Sequence, residues 1–170
     1  MAANVNFVAG EIGPNLGIIP VGDGGQISFF NYRGSTDFVV DVVGYFDPAG
    51  QSLYHPIFPV RALDSRSGLG ASGPWTAGAT RNVAIAANVG VPSDARSVVG
   101  NLTGVNQTTN TFETLWPSGL TRPNASNLNL VFGDTRANGV ITGIGSADSV
   151  SIYNRYGSTH LLLDVTGWFR

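Results

Sequence analysis

The chain has 170 residues, a formal net charge of −2, and no cysteine. All nine basic side chains are arginine and none cluster in a run, which excludes the phosphate-neutralising patch of a nucleic-acid binder. The missing cysteines exclude disulfides, thiolate nucleophiles and Cys-type zinc sites. Hydrophobic residues make up 42% of the chain, enough for a sizeable core, and no apolar run reaches the ~18 residues of a membrane-spanning helix.

The opening stretch, MAANVNFVAGEIG, lacks the basic and long apolar regions of a signal peptide. Helical i, i+3, i+4 apolar spacing is absent, and 23 glycines with nine prolines would break most helices. Short β-branched and aromatic runs bounded by Gly, Asn, Ser and Pro predict strands instead. They fall at 4–9, 16–21, 26–31 and 36–43. After them comes DPAGQSLYHPIFP (47–59), with three prolines and no alternation, which reads as a connector. Further strands are predicted at 81–87, 97–105, 111–116, 127–132, 139–144, 149–154 and 160–166. Many short strands with turn chemistry between them predict an all-β fold, an antiparallel β-sandwich or a closed barrel.

Residues 4–46 overlay residues 127–169 at a constant offset of 123 with no gap, and 16 of the 43 positions are identical. The identities include Asn4, Asn15, Gly22, Asn31, Gly34, Asp41, Gly44 and Phe46. A period of this length is the scale of a domain. Residues 1–46 therefore read as the C-terminal part of a preceding repeat, 47–59 as a connector and 60–170 as the full repeat unit. Residues 4–46 are expected to pack against that unit and complete its sheets, giving one compact β domain, because unpaired strand edges invite aggregation. A weaker echo links 95–105 with the closing strand, which suggests repeat-related strands inside the unit. This arithmetic favours a chain cut from something larger.

Alternation along GSTHLLLDVTGWF (157–169) puts Leu161, Leu163, Val165 and Phe169 on the core side. Asp164, like Asp41 in the earlier copy, falls on the other face among apolar neighbours. A partly buried carboxylate there calls for an arginine. Asn127 and Asn129 alternate along one strand and point the same way, as loop caps or as a polar row. Together Asp41, Asp164, Asn127 and Asn129 are read as a structural polar network.

VRALDSRSGLG packs Arg61, Asp64 and Arg66 into six positions. The cluster is read first as an ion-pair network and second as an anion or sugar-hydroxyl site. Trp75, Trp116 and Trp168, with Tyr54, are read first as core or inter-unit packing and second as stacking platforms for a sugar ring, and Trp116, beside Pro117 and a glycine turn, is the best placed of the tryptophans for exposure. No catalytic residues are expected. A Ser65–His55–Asp64 triad can be drawn on paper but has no nucleophile-elbow motif. The glutamates, Glu11 and Glu113, sit in no distinctive sequence context. No calcium loop occurs, and no cofactor or metal is expected.

Arg61-Ala62-Leu63-Asp64-Ser65-Arg66, Pro117-Ser118-Gly119, Ser126-Asn127-Leu128-Asn129, Tyr153-Asn154, Gly157-Ser158-Thr159 and Asp164-Val165-Thr166-Gly167-Trp168-Phe169 follow one another in this order. The series resembles a tandem β-rich repeat of large secreted actinobacterial surface proteins. Ala62, Ser65 and Trp168 are mild departures from its pattern. The resemblance implies an extracellular or cell-surface location, often beside catalytic domains, and brings no agreed activity of its own. The expectation is a non-catalytic structural or adhesive repeat module, with a carbohydrate-binding module as the alternative. Its expected partners are neighbouring repeat units, further copies of itself or a glycan, with neither nucleic acid nor membrane among them.

Overall fold

The computed structural model describes residues 3–170. Eight strands form the body: β1 (Tyr54–Asp64), β2 (Thr80–Ala84), β3 (Ser97–Val105), β4 (Thr111–Pro117), β5 (Leu128–Leu130), β6 (Arg136–Gly143), β7 (Ser149–Asn154) and β8 (His160–Phe169). They make two four-stranded antiparallel sheets, ordered β1-β8-β3-β6 and β2-β7-β4-β5, packed face to face as a β-sandwich; no barrel closes.

The two sheets share one pattern. Each of the six ladders joins a strand of β1–β4 to a strand of β5–β8, and no ladder lies within either half. The halves interleave like two combs. β7 and β8 are central, and β8 carries a near-continuous apolar run in which Leu161, Leu162, Leu163 and Val165 are all buried. Leu161, Leu163 and Val165 point into the core, while Phe169 at the strand end is half-buried. Leu63, Val98, Leu102 and Val140 join them from the same sheet, and Val83, Leu115, Leu128, Val150 and Ile152 face them from the other.

β1 runs through the stretch expected to be a connector. Its prolines, Pro56 and Pro59, deny it backbone donors, but β1 is an edge strand with one side unpaired, and its register slips between Pro56 and Val60. A second shift between Arg61 and Leu63 marks a bulge that buries both Ala62 and Leu63.

Residues 4–46 do not form the four strands expected of them, and both sheets are completed without them. The segment is extended and solvent-exposed, with one short 3-10 turn at Asp23–Gly25. It touches the body at the β6 edge, where Leu16 N–H donates to Asn138 Oδ1 (3.2 Å) and Arg136 donates to the Ile12 carbonyl (3.0 Å). Phe46 also packs on Phe169, ring centroids 5.9 Å apart. The sequence repeats the strands of a half whose ladders all run to the other half, and the single β1–β4 half is already taken by residues 128–169.

Asn154 ties the halves together. Fully buried, it donates to the carbonyls of Trp75 (3.0 Å) and Gly157 (3.2 Å) and accepts from Thr111 Oγ1 (2.7 Å). Asn154→Ala would leave buried polar groups unpaired and is expected to cost about 1–3 kcal/mol in urea unfolding. Asn31→Ala, at the repeat-equivalent exposed position, is expected to change stability by less than about 0.5 kcal/mol.

Candidate functional site

The residues singled out in VRALDSR meet at the far end of β1. Strand register sets Arg61 opposite Asp164 of β8. Arg61 grips that carboxylate with both arms of its fork, Nε to Oδ1 at 2.8 Å and Nη2 to Oδ2 at 3.0 Å. Its remaining nitrogen, Nη1, reaches Asp64 Oδ2 at 3.4 Å. Arg66 folds back on Asp64 in a second fork, Nε to Oδ1 at 2.9 Å and Nη2 to Oδ2 at 2.7 Å, while its backbone N–H donates to Oδ1 at 3.1 Å. The order is Arg66–Asp64–Arg61–Asp164, alternating in sign and neutral in sum.

The turn beneath this row is closed by the Asp64 carbonyl, which accepts the N–H groups of Ser67, Gly68 and Leu69. Asp64 is buried, and the Arg66 fork above all holds its carboxyl well below the usual carboxylate range against the opposing cost of burial. Both guanidinium groups spend their forks on protein carboxylates. The arrangement clamps β1 to β8 and fastens the turn, rather than presenting free donors to an anion or a sugar.

The drawn triad is not assembled. Ser65 lies next to His160, with Oγ 2.9 Å from Nδ1, and His55 sits at the other end of β1, stacked on Trp168 at 4.0 Å. Ser65 is almost wholly buried, and its Oγ accepts the Leu161 N–H at 3.0 Å. Asp64 is engaged by the two arginines, so Ser65 acts as another tie between β1 and β8.

Two of the candidate stacking platforms, Trp75 and Trp116, are interior. Trp75 is 0% exposed, donates Nε1–H to the Ile152 carbonyl (2.9 Å) and lies under the Arg81 guanidinium. Trp116 is 6% exposed, and its Nε1–H donates to the Leu120 carbonyl at 2.9 Å. The Pro-Ser-Gly turn that suggested exposure for Trp116 instead folds over it. Neither ring offers a free face to a sugar.

The polar network is only partly joined. Asn127 Oδ1 accepts the Leu115 N–H at 2.7 Å, capping β4 beside the start of β5, and Asn129 Oδ1 accepts from Ser126 Oγ at 3.2 Å. They act locally and form no ladder. Asp41 is exposed in the extended segment, far from the role that Asp164 plays in the body.

One group escaped the sequence reading. Glu113 in β4 is fully buried, and neither carboxyl oxygen has a hydrogen-bond partner. Burial pushes its pKa up to about 9, so it is neutral at pH 7. The signal was available: alternation puts Glu113 on the same face as Leu115, a core residue.

No protein-family model matches the chain, and no curated protein matches its sequence.

Asp64 and Glu113 act on stability at opposite ends of the pH scale. A depressed folded pKa contributes stability above the ordinary carboxylate range that is lost on acidification. A raised one contributes fully below the unfolded value and is lost as pH rises towards the folded value. Keeping Glu113 protonated at pH 7, against an ordinary value of 4.5, costs about 3 kcal/mol. Glu113→Gln is expected to raise stability at pH 7 by up to that amount and to flatten the decline between pH 5 and 9. Asp64→Asn is expected to lower stability at pH 7 and to reduce the loss below pH 4. Thermal unfolding of both variants across pH checks each sign.

Proposed function

We propose that the chain is a non-catalytic structural or adhesive repeat module of a larger secreted or cell-surface protein. The observation that carries the reading is the gapless repetition of one half of a sandwich ahead of a complete one. A chain written in whole and half units of the same domain suits a tandem array. The polar clusters support a structural role, because Arg61, Asp64, Arg66 and Asp164 are spent on one another. The resemblance of the RALDSR, PSG, SNLN, YN, GST and DVTGWF series to repeats of secreted actinobacterial proteins points to the same setting. A low charge content of 12% and the lack of cysteine suit a module held by packing and hydrogen bonds without disulfides. The carbohydrate-binding alternative relied on Trp116 or Trp75 with Arg61, Asp64 and Arg66; both rings are interior, and the three charged groups are paired with protein partners.

Antibodies raised against residues 53–170 are expected to label intact cells of the source organism and to detect a secreted or wall-associated chain much longer than 170 residues. Detection solely as a cytosolic 17.8 kDa band would overturn the proposal.

A further inference from the structure

Residues 4–46 are exposed, yet they keep the local geometry of residues 127–169. Asn15 Nδ2 donates to the Asn4 carbonyl at 2.7 Å, as Asn138 does to Asn127 at 2.8 Å. Asn31 Nδ2 donates to the Gly34 carbonyl at 3.0 Å, as Asn154 does to Gly157 at 3.2 Å. The backbone bonds Glu11 N–H to Val8 and Gly22 N–H to Gln26 recur as Asp134 to Val131 and Gly145 to Ser149, each pair with the same length. The 3-10 turn at Asp23–Gly25 recurs at Ser146–Asp148. The segment therefore holds the turns of a β5–β8 half while its strands lie unpaired.

Two glycines show what is missing. At Gly167 a Cβ would run into the ring of Tyr54 in β1, and at Gly145 into the backbone of Pro117 and Ser118 after β4. Their counterparts, Gly44 and Gly22, are also glycine. A Cβ at Gly44 would meet nothing within 4 Å, and one at Gly22 only the Gln26 carbonyl at 3.3 Å. Neither has a positive φ that would itself call for glycine. Apolar exposure tells the same story: Val39, Val42 and Tyr45 are 90%, 83% and 84% exposed, and their counterparts Leu162, Val165 and Trp168 are 6%, 0% and 9%.

We infer that residues 4–46 are a preorganised half-sandwich that binds a β1–β4 half supplied by another repeat of this kind, a segment resembling residues 54–117. Every ladder of the fold runs between halves, so this half can be completed only by strands of the complementary type. A second copy of this chain cannot satisfy it, because each copy brings one β1–β4 half and two β5–β8 halves. The register of the body defines the partner's chemistry. An arginine in the place of Arg61 would fork onto Asp41, a threonine in the place of Thr111 would donate to Asn31, and an aromatic in the place of Tyr54 would lie over Gly44. The inference stands on geometry within the chain and holds wherever the protein is located, so its failure and that of the proposed function are separable.

The test is a two-unit chain in which residues 47–126 are duplicated ahead of Asn4, read by amide hydrogen exchange. Protection at residues 26–31 and 36–43 is expected to rise at least about 1,000-fold over the single-unit chain, to the level of an ordinary folded core. Asn31→Ala in the two-unit chain is expected to lower protection there about 5- to 150-fold while residues 128–169 keep theirs. Co-expression of residues 47–126 with the unmodified chain is expected to give a 1:1 complex on size exclusion. Absence of both the protection and the complex overturns the inference. So does a concentration-dependent dimer of the single-unit chain that protects 36–43. A disulfide forming readily within monomeric Thr103→Cys/Val39→Cys would also overturn it. Thr103 faces Leu162 in the sheet, so that bond would mean that residues 4–46 displace 127–169 from the chain's own β1–β4 half.

Discussion

Interleaving governs this molecule: a strand from residues 54–117 forms hydrogen-bonded ladders only with strands from residues 128–169. Neither half has an internal sheet to fold onto, so each presents unpaired backbone groups until the other arrives. The central strands β7 and β8 are bracketed on both edges by strands of the first half. Only the β4–β5 ladder, paired from Glu113 to Leu128, closes over a short connection; the other ladders must close longer loops, which places the domain among slow, high-contact-order β-folds.

The side-chain hydrogen bonds reinforce the same seam. Arg61 to Asp164, Ser65 to Leu161, Trp75 to Ile152, Thr111 to Asn154 and Asn82 to Ser151 each run from one half to the other. Three of these bonds, from Ser65, Trp75 and Thr111, are buried and fix the register, since a slip of one residue would strand them. Glu113 is an exception, a carboxyl buried beside the seam with neither oxygen partnered, and it offsets part of what the others contribute. The Arg66–Asp64–Arg61–Asp164 row fits the pattern best: four charges in alternation, closing a turn and an edge strand together.

The sequence repeat and the physical domain are cut alike. A repeat drawn from residue 47 to 169 coincides with one complete sandwich, and residues 4–46 match the half of a sandwich that cannot stand alone. Their exposed valines and aromatics follow from that arithmetic, and so does their retention of turns and glycines that serve no contact within this chain.

Strands β3 and β7 were legible to the residue, and β4, β6 and β8 nearly so, because alternation and turn residues are local properties of a half-buried strand. The approximate face of β8 and the need of Asp164 for an arginine could be read for the same reason. β1 was hidden by its prolines, which only an edge position tolerates, and position in a sheet is not written locally. Trp75 and Trp116 stayed open between core and stacking platform, because burial of a large ring depends on what the opposite sheet supplies. Glu113 shared a face with Leu115, yet its charge masked it. The sequence by itself determined an all-β chain with a 123-residue repeat and a cluster of paired arginines and aspartates. Only the tertiary structure decided which strands have partners: residues 4–46 and 127–169 carry the same pattern, and one β1–β4 half can complete just one of them.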